Sequence, residues 1–261
     1  RIAKPGAAGL DPACDHARRM ILPDHPFAQL IDKAKDGLHL VSDHAPGRDT
    51  GPVGHHRRDG FVIDMALHTV KVQNWDKTVT TIPTYKLFSE SFRNWRQMFE
   101  SGGRRIKRTM RIDASMVRFL TESEIDELRR YALIRDYLDD KQVELEETNR
   151  RLGELTEVPA NRRRLTNIGT FRAYAKAYIE QHPEIRKDML MIVRMMEPQS
   201  EGIPVEVYCF TNNTAWVEYE RIQGDIFDHL LAILPEFWLR LYQAPAGSDL
   251  SRLQHISRKQ E

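Results

Sequence analysis

The sequence has almost no cysteine: Cys14 and Cys209 stand far apart in unrelated contexts. Such a pair makes neither a disulfide framework nor a zinc-ligand pattern, and it suits a reducing compartment. No run of about 18 apolar residues occurs, so nothing in the chain reads as a bilayer-spanning helix. Met189–Met196 is too short, and Phe227–Leu241 is interrupted by Asp228, His229, Glu236 and Arg240. Charge of one sign is not in excess either. Lys and Arg number 39 against 38 Asp and Glu, a net charge of +1. A general nucleic-acid binder carries a large positive surplus to neutralise phosphates. The P-loop and the Gly-x-Gly-x-x-Gly loop are both missing, as are paired-carboxylate motifs. The chain starts at Arg1 without a legible signal peptide and reads as a fragment of a longer protein.

What is present is an ordinary globular composition, 41% hydrophobic and 30% charged over 261 residues, enough for one large domain or two small ones. Residues 1–56 mix Pro, Gly, His and Asp with no sustained period beyond a short helical pattern around Phe27–Leu38. They read as an irregular lead-in. From Gly60 the character changes. Phe61–Asp64, Ala66–Gln73, Val79–Ile82 and Leu87–Trp95 are short, rich in β-branched and aromatic residues, and parted by turn-prone groups such as Asn74-Trp75-Asp76-Lys77. Pro83 suits a strand end. This predicts a small all-β domain over 57–100, with Ser101-Gly102-Gly103 as a hinge into a second unit.

In that unit Ile106, Arg108, Met110 and Ile112 alternate with Arg105, Lys107, Thr109 and Arg111, the period of a half-buried strand. Thr121 with Glu124 is a capping-box signature ahead of Ile125, Leu128 and Tyr131. Tyr131, Leu138, Leu145 and Leu152 lie seven apart and predict one long helix to about Gly153. Val158-Pro159 and Arg162–Arg164 interrupt it, and a further helix spans about Asn167 to His182, stopped by Pro183. Strands follow at about Asp188–Met196 and Pro204–Thr211. A helix carries Trp216, Tyr219, Ile226, Leu230 and Ile233 on one face, and a last strand covers Phe237–Tyr242. Without the helical insertion at about 140–166 the order is β-α-β-β-α-β, the ferredoxin-like arrangement. The fold class is therefore α+β: a small Sm-like β domain, then a ferredoxin-like α/β domain over 101–247 with a helical elaboration, and a flexible tail over 248–261.

Chemistry-bearing candidates are sparse. His55 and His56 near Asp59 lack a second ligand cluster and read as a solvated loop, so no metal site is expected. Asp43, His44 and the other scattered acids and histidines show no nucleophile, base and orienter. No catalytic residue and no cofactor is expected. Arg104, Arg105, Lys107, Arg108 and Arg111 form a basic strip, read from the residues alone as a solvated or partly paired face between two domains. Trp75, Trp95, Trp216 and Trp238 read as core or subunit-interface anchors. The Tyr131/Leu138/Leu145/Leu152 stripe reads as packing rather than a zipper.

Several ordered motifs together resemble the small-conductance mechanosensitive ion channel (MscS) family, over roughly residues 57–247. Asp59-Gly60-Phe61-Val62-Ile63-Asp64 resembles the Gly-x-Val strand that follows the pore helix there, carried by Gly60 and Val62. Thr69–Thr78, with Asn74, Trp75 and Asp76, and then Ile82-Pro83-Thr84-Tyr85-Lys86-Leu87 are similar to the strand-turn-strand and Ile-Pro signature. Ser91–Trp95 fits the closing strand, and Gly102-Gly103-Arg104-Arg105-Ile106-Lys107-Arg108 fits the start of the α/β domain. Asn-Trp-Asp-Lys-Thr and the long helical elaboration resemble the miniconductance branch.

The resemblance implies the cytoplasmic part of a channel of the bacterial inner membrane that opens under membrane tension and releases small solutes and ions on hypoosmotic shock. It implies self-association into a homo-heptamer. The lipid bilayer would be reached only through transmembrane helices missing from this chain, and no nucleic acid is expected as partner. Arg104, Arg105, Lys107 and Arg108 would lie near an interface or ion pathway. The pore-lining helix expected before the β domain is not in residues 1–56, and Thr50–Arg58 stands where a strand should precede Gly60. This departure favours a truncation joined to foreign sequence or a reading-frame error upstream. The rival class is a soluble nucleic-acid-binding or scaffold protein built from the same two units.

Overall fold

The computed structural model describes residues 39–42, 59–89 and 92–244. These divide between Ser101 and Gly102 into two compact units.

The first unit is a five-stranded antiparallel sheet built from β1 (His39–Ser42), β2 (Asp59–Met65), β3 (Thr69–Asn74), β4 (Val79–Pro83) and β5 (Phe92–Asn94), in the order β4-β3-β2-β1-β5. The chain meanders from β1 to β4, and β5 returns to pair with β1, so that Leu40 lies opposite both Gly60 and Asn94. This closing step gives the Sm-like form. On β3, Val70 and Val72 are buried while Lys71 between them is exposed, as a period of two requires. With Met65 and Ile82 they form the core, and Val62 and Leu87 pack partly against it. A register shift between Val62 and Asp64 marks a bulge in β2.

Two expectations fail here. A strand does precede Gly60, but it is His39–Ser42, drawn from the segment read as an irregular lead-in. Four residues of extended chain carry too weak a periodic signal to stand out amid Pro and Gly. Leu87–Trp95 is not one strand either: Lys86–Ser89 forms the helical turn α1 before β5. There the Leu87 and Ser89 amides donate to the Thr84 and Tyr85 carbonyls at 3.0 and 3.2 Å, and the backbone curls instead of extending. A short helix, α2 (Arg96–Ser101), ends the unit. The helical pattern at Phe27–Leu38, the Thr50–Arg58 segment, His55 and His56, Asp43 and His44, and Cys14 lie outside the described residues.

The second unit carries β6 (Arg104–Ile112), β7 (Ile192–Met195) and β8 (Ile203–Thr211), antiparallel in the order β6-β8-β7. The expected fourth strand at Phe237–Tyr242 shrinks to a single bridge, Leu241 opposite Ile112 on the outer edge of β6. The Asp113 amide donates to Arg240 and the Tyr242 amide to Arg111, at 2.9 and 2.8 Å. Upstream, Leu234–Phe237 winds into a 3-10 turn with Pro235 near its start, and Trp238 takes a left-handed conformation (φ 53°). Neither geometry extends a strand. Counting the bridge, the ferredoxin-like spatial order 4-1-3-2 is complete.

The helices are α3 (Glu122–Leu128), α4 (Arg135–Leu152), α5 (Asn167–Gln181) and α6 (Trp216–Ala232). The Thr121/Glu124 capping box is formed in both directions. The helix expected from Tyr131 onward begins later: Tyr131 lies in a turn between α3 and α4. Amides of Arg130, Tyr131 and Ile134 bond three residues back, which rotates the apolar stripe before α4 starts. The core gathers Ile106, Met110 and Ile112 of β6 and Val205, Val207 and Cys209 of β8 against Phe171 and Ile179 of α5 and Ile222, Ile226 and Leu230 of α6. Among the described residues, no helix is long and apolar enough to cross a membrane.

Candidate functional site

In the β unit the Asn-Trp-Asp-Lys-Thr group makes the turn from β3 to β4. The Asn74 amide donates to the Thr78 carbonyl at 2.9 Å, and Lys77 takes a positive φ of 70° at the tip. Side chains brace it: Asn74 Nδ2 donates to Thr78 and Thr80 hydroxyls at 2.9 and 2.8 Å. Asp76 Oδ1 accepts from the Thr78 amide and hydroxyl at 3.0 and 2.6 Å. Trp75 meets the Phe61 ring edge-on at 5.4 Å, and both remain more than 40% exposed, so Trp75 is not a core anchor of this chain. Gly60 is fixed by sterics, because a Cβ there would run into the Gln73 carbonyl of β3. Ile82 is buried, and Pro83 ends β4.

The α/β unit opens on Gly102, at φ 65°, and buried Gly103, whose Cβ would meet the Met189 thioether at 2.6 Å. Arg186 Nη1 donates to the Gly102 carbonyl at 3.4 Å. The basic strip follows, and each cation has a definite neighbour. Arg104 stacks over Tyr219 at 4.5 Å and Trp216 at 5.8 Å, and donates to the Thr214 carbonyl. Arg105 lies over Tyr208 at 5.8 Å, and Lys107 reaches Glu206 at 3.7 Å. Arg111 pairs with Glu201. Arg108 belongs by parity to the core-facing row, yet it is exposed. Its guanidinium lies 5.7 Å from the Phe227 ring.

Sequence reasoning missed the group that organises this face. Glu206 is 3% exposed and accepts from Arg194 Nε at 2.8 Å while facing Lys107. A buried carboxylate needs such cationic partners. The signal was available, since Glu206 interrupts the apolar run of β8 on the Tyr208 row. Also missed were a histidine sandwich and two ion pairs. Tyr174 Oη lies 2.7 Å from His229 Nε2, and Tyr178 stacks on the same ring at 4.2 Å. Burial pushes both tyrosines up. Burial lowers His182, which meets the Tyr178 ring edge-on. Arg118 grips Glu124 and holds its carboxyl down at about 2. Ser115 hydrogen bonds first, then Arg240, hold Asp113 below the usual carboxylate range.

Burial pushes the Cys209 thiol up to about 12, too high for a nucleophile at neutral pH. Among the described residues no group of three His, Cys, Asp or Glu could hold a metal ion. On the α/β unit the geometry offers a charged face whose cations are paired or stacked.

In sequence, residues 53–97 match the family described as "Mechanosensitive ion channel, beta-domain". Over that segment the chain is similar to the β-domain of mechanosensitive ion channels. That family is one of channels, not a class of enzymes. Solved structures agree at the level of fold. MSL1 of Arabidopsis thaliana superposes with a TM-score of 0.50 at 11% identity, over 89% of this chain and 62% of that one. A second structure of wild-type MSL1 gives 0.50 and 11%, over 89% and 60%. Helicobacter pylori MscS in its closed state is more distant, at TM-score 0.42 and 8% identity over 80% of this chain and 57% of that one. The chain spans about 62% of the length of the first of these.

Proposed function

We propose that this chain is the cytoplasmic part of a tension-gated channel of the bacterial inner membrane, of the miniconductance-like branch, which releases small solutes and ions on hypoosmotic shock. The observation that carries the reading is the channel β-domain match over 53–97, on a sheet whose closing geometry needs Gly60 and the Asn74–Thr78 turn. Gating requires closed and open states that differ in their response to tension. That difference belongs to transmembrane helices, and this chain would form the cage below them. Copies of the chain would assemble as a heptameric ring, which would cover the exposed Phe61, Ile63 and Val79 of the β unit and its free sheet edges. Arg104, Arg105, Lys107 and Arg108 would lie at an interface or along the ion path, and Ser101-Gly102-Gly103 would serve as a hinge between the domains.

The test is patch-clamp recording of the complete channel protein in liposomes under graded suction, with hypoosmotic survival of a bacterial host stripped of its own tension-gated channels. Tension-activated currents and rescue are expected. Silence up to the lytic limit, together with tight RNA binding by this chain, would overturn the reading. One observation favours that rival: Tyr208 and Phe210 share the β8 row that faces Arg105 and Lys107, an aromatic and basic pairing of the kind on which bases stack.

A further inference from the structure

A groove of about 400 Å³ runs between α4 and α5 beside β7. On α5, Gly169, Ala173 and Ala177 recur every four residues, so one strip of the groove floor carries nothing larger than a methyl group. Leu133, Tyr137 and Val193 supply apolar walls. The volume falls in the range of small-molecule sites, which are mostly apolar with a few placed polar groups.

The polar groups here are mainly cationic. Lys141, Arg172 and Lys176 line the groove against a single carboxylate, Glu180. Lys141 and Lys176 are already engaged, with Glu144 at 2.6 Å and Glu180 at 3.5 Å, but these pairs are largely exposed to water and cost little to exchange. Arg172 differs. It makes no ion pair among the described residues, and its Nε is buried without a hydrogen-bond partner. A buried donor left unsatisfied is costly, and the Arg172 guanidinium, which lines the groove, would meet an anion there with no carboxylate of its own to exchange among the described residues. Arginine suits phosphate and carboxylate because its planar fork donates two parallel bonds to either.

We propose that the groove binds a small organic anion. Its phosphate or carboxylate head is held by Arg172 and Lys176, and its apolar or aromatic body lies along Ala173 and Ala177 against Leu133 and Tyr137. The site does not rest on the channel reading, since it is argued from residues of the α/β unit alone. A ligand bound there would link the inserted helix α4 to the ferredoxin-like body.

The test is calorimetric and NMR titration of the full chain with phenyl phosphate at low salt, with benzoate, inorganic phosphate and phenol alongside. Saturable binding at one site per chain is expected, with a Kd below about 1 mM. Phenol should not bind, inorganic phosphate should bind more weakly than phenyl phosphate, and the stronger of phenyl phosphate and benzoate identifies the head group. Arg172→Gln should weaken phenyl phosphate at least tenfold. Glu180→Gln, which removes the one repelling carboxylate, should tighten it. Ala177→Leu should fill the floor and exclude phenyl phosphate more than inorganic phosphate. Absence of saturation by about 10 mM, an unchanged affinity in a folded Arg172→Gln variant, or weaker binding by Glu180→Gln would overturn the proposal. The Glu180→Gln arm changes an exposed side chain, so it decides the matter even if another variant fails to fold.

Discussion

The two units are stabilised in different ways. The α/β unit buries large side chains deep in one cluster, with Phe171, Phe237, Ile106 and Ile226 at zero exposure. The β unit buries Met65, Val70, Val72 and Ile82 and leaves Ile63 52%, Val79 50% and Tyr85 66% exposed. Beside this small core among its described residues, backbone fit adds order: a glycine where β2 crosses close to β3, and a braced turn. The larger unit carries its own core, and the contrast can be probed one residue at a time.

The largest effect should come from Phe171→Ala, which empties a fully buried site and should cost about 3–5 kcal/mol in urea denaturation. The α/β unit should nonetheless remain folded in water, because the rest of its core is intact. Gly60→Ala should cost about 2–4 kcal/mol through collision with the Gln73 carbonyl, yet unfold the β unit. Amide exchange across β2 and β3 measures this, and retained protection would break the comparison. Asn74→Ala removes both side-chain bonds that brace the turn and should cost about 1–2 kcal/mol, seen as earlier melting of the β unit alone.

Glu124 gives a pH prediction. Its carboxyl titrates lower in the folded chain, so its contribution is full above the ordinary value of 4.5 and is lost as the pH falls toward about 2. Stability of the α/β unit should therefore decline across that acidic window, and Glu124→Gln should cost about 1 kcal/mol at pH 7 while flattening the decline. The smallest effect should be that of the Arg111–Glu201 pair, both partners half exposed. A double-mutant cycle should find below about 1 kcal/mol, falling with salt.

Local chemistry was legible wherever a residue type has one dominant use. Thr121 and Glu124 announced a cap, Pro183 a helix end, and Asn74-Trp75-Asp76-Lys77 a turn, because each acts through neighbours within a few positions. Periodicity placed β3, β4, β6 and β8, and the order of elements supplied the ferredoxin-like frame. It misjudged Leu87–Trp95, Phe237–Tyr242 and the Tyr131 stripe, where an apolar run can curl, stop or turn without changing its pattern. The candidate site was legible as a solvated or partly paired strip of positive charge, but not in its aromatic stacking or its buried Glu206.

What the sequence determined by itself is therefore local: strand and helix faces, caps, turns, and the motif order that points to the channel family. Tertiary structure alone decided that His39–Ser42 completes the first sheet and that Leu241 stands in for a fourth strand. It also decided that Glu206 lies buried between Arg194 and Lys107, and that Arg172 faces a groove without an acceptor. The physical reason is range. Caps and turns close within a few residues, while pairing, burial and charge compensation join residues far apart in sequence, and only the folded chain sets their distances.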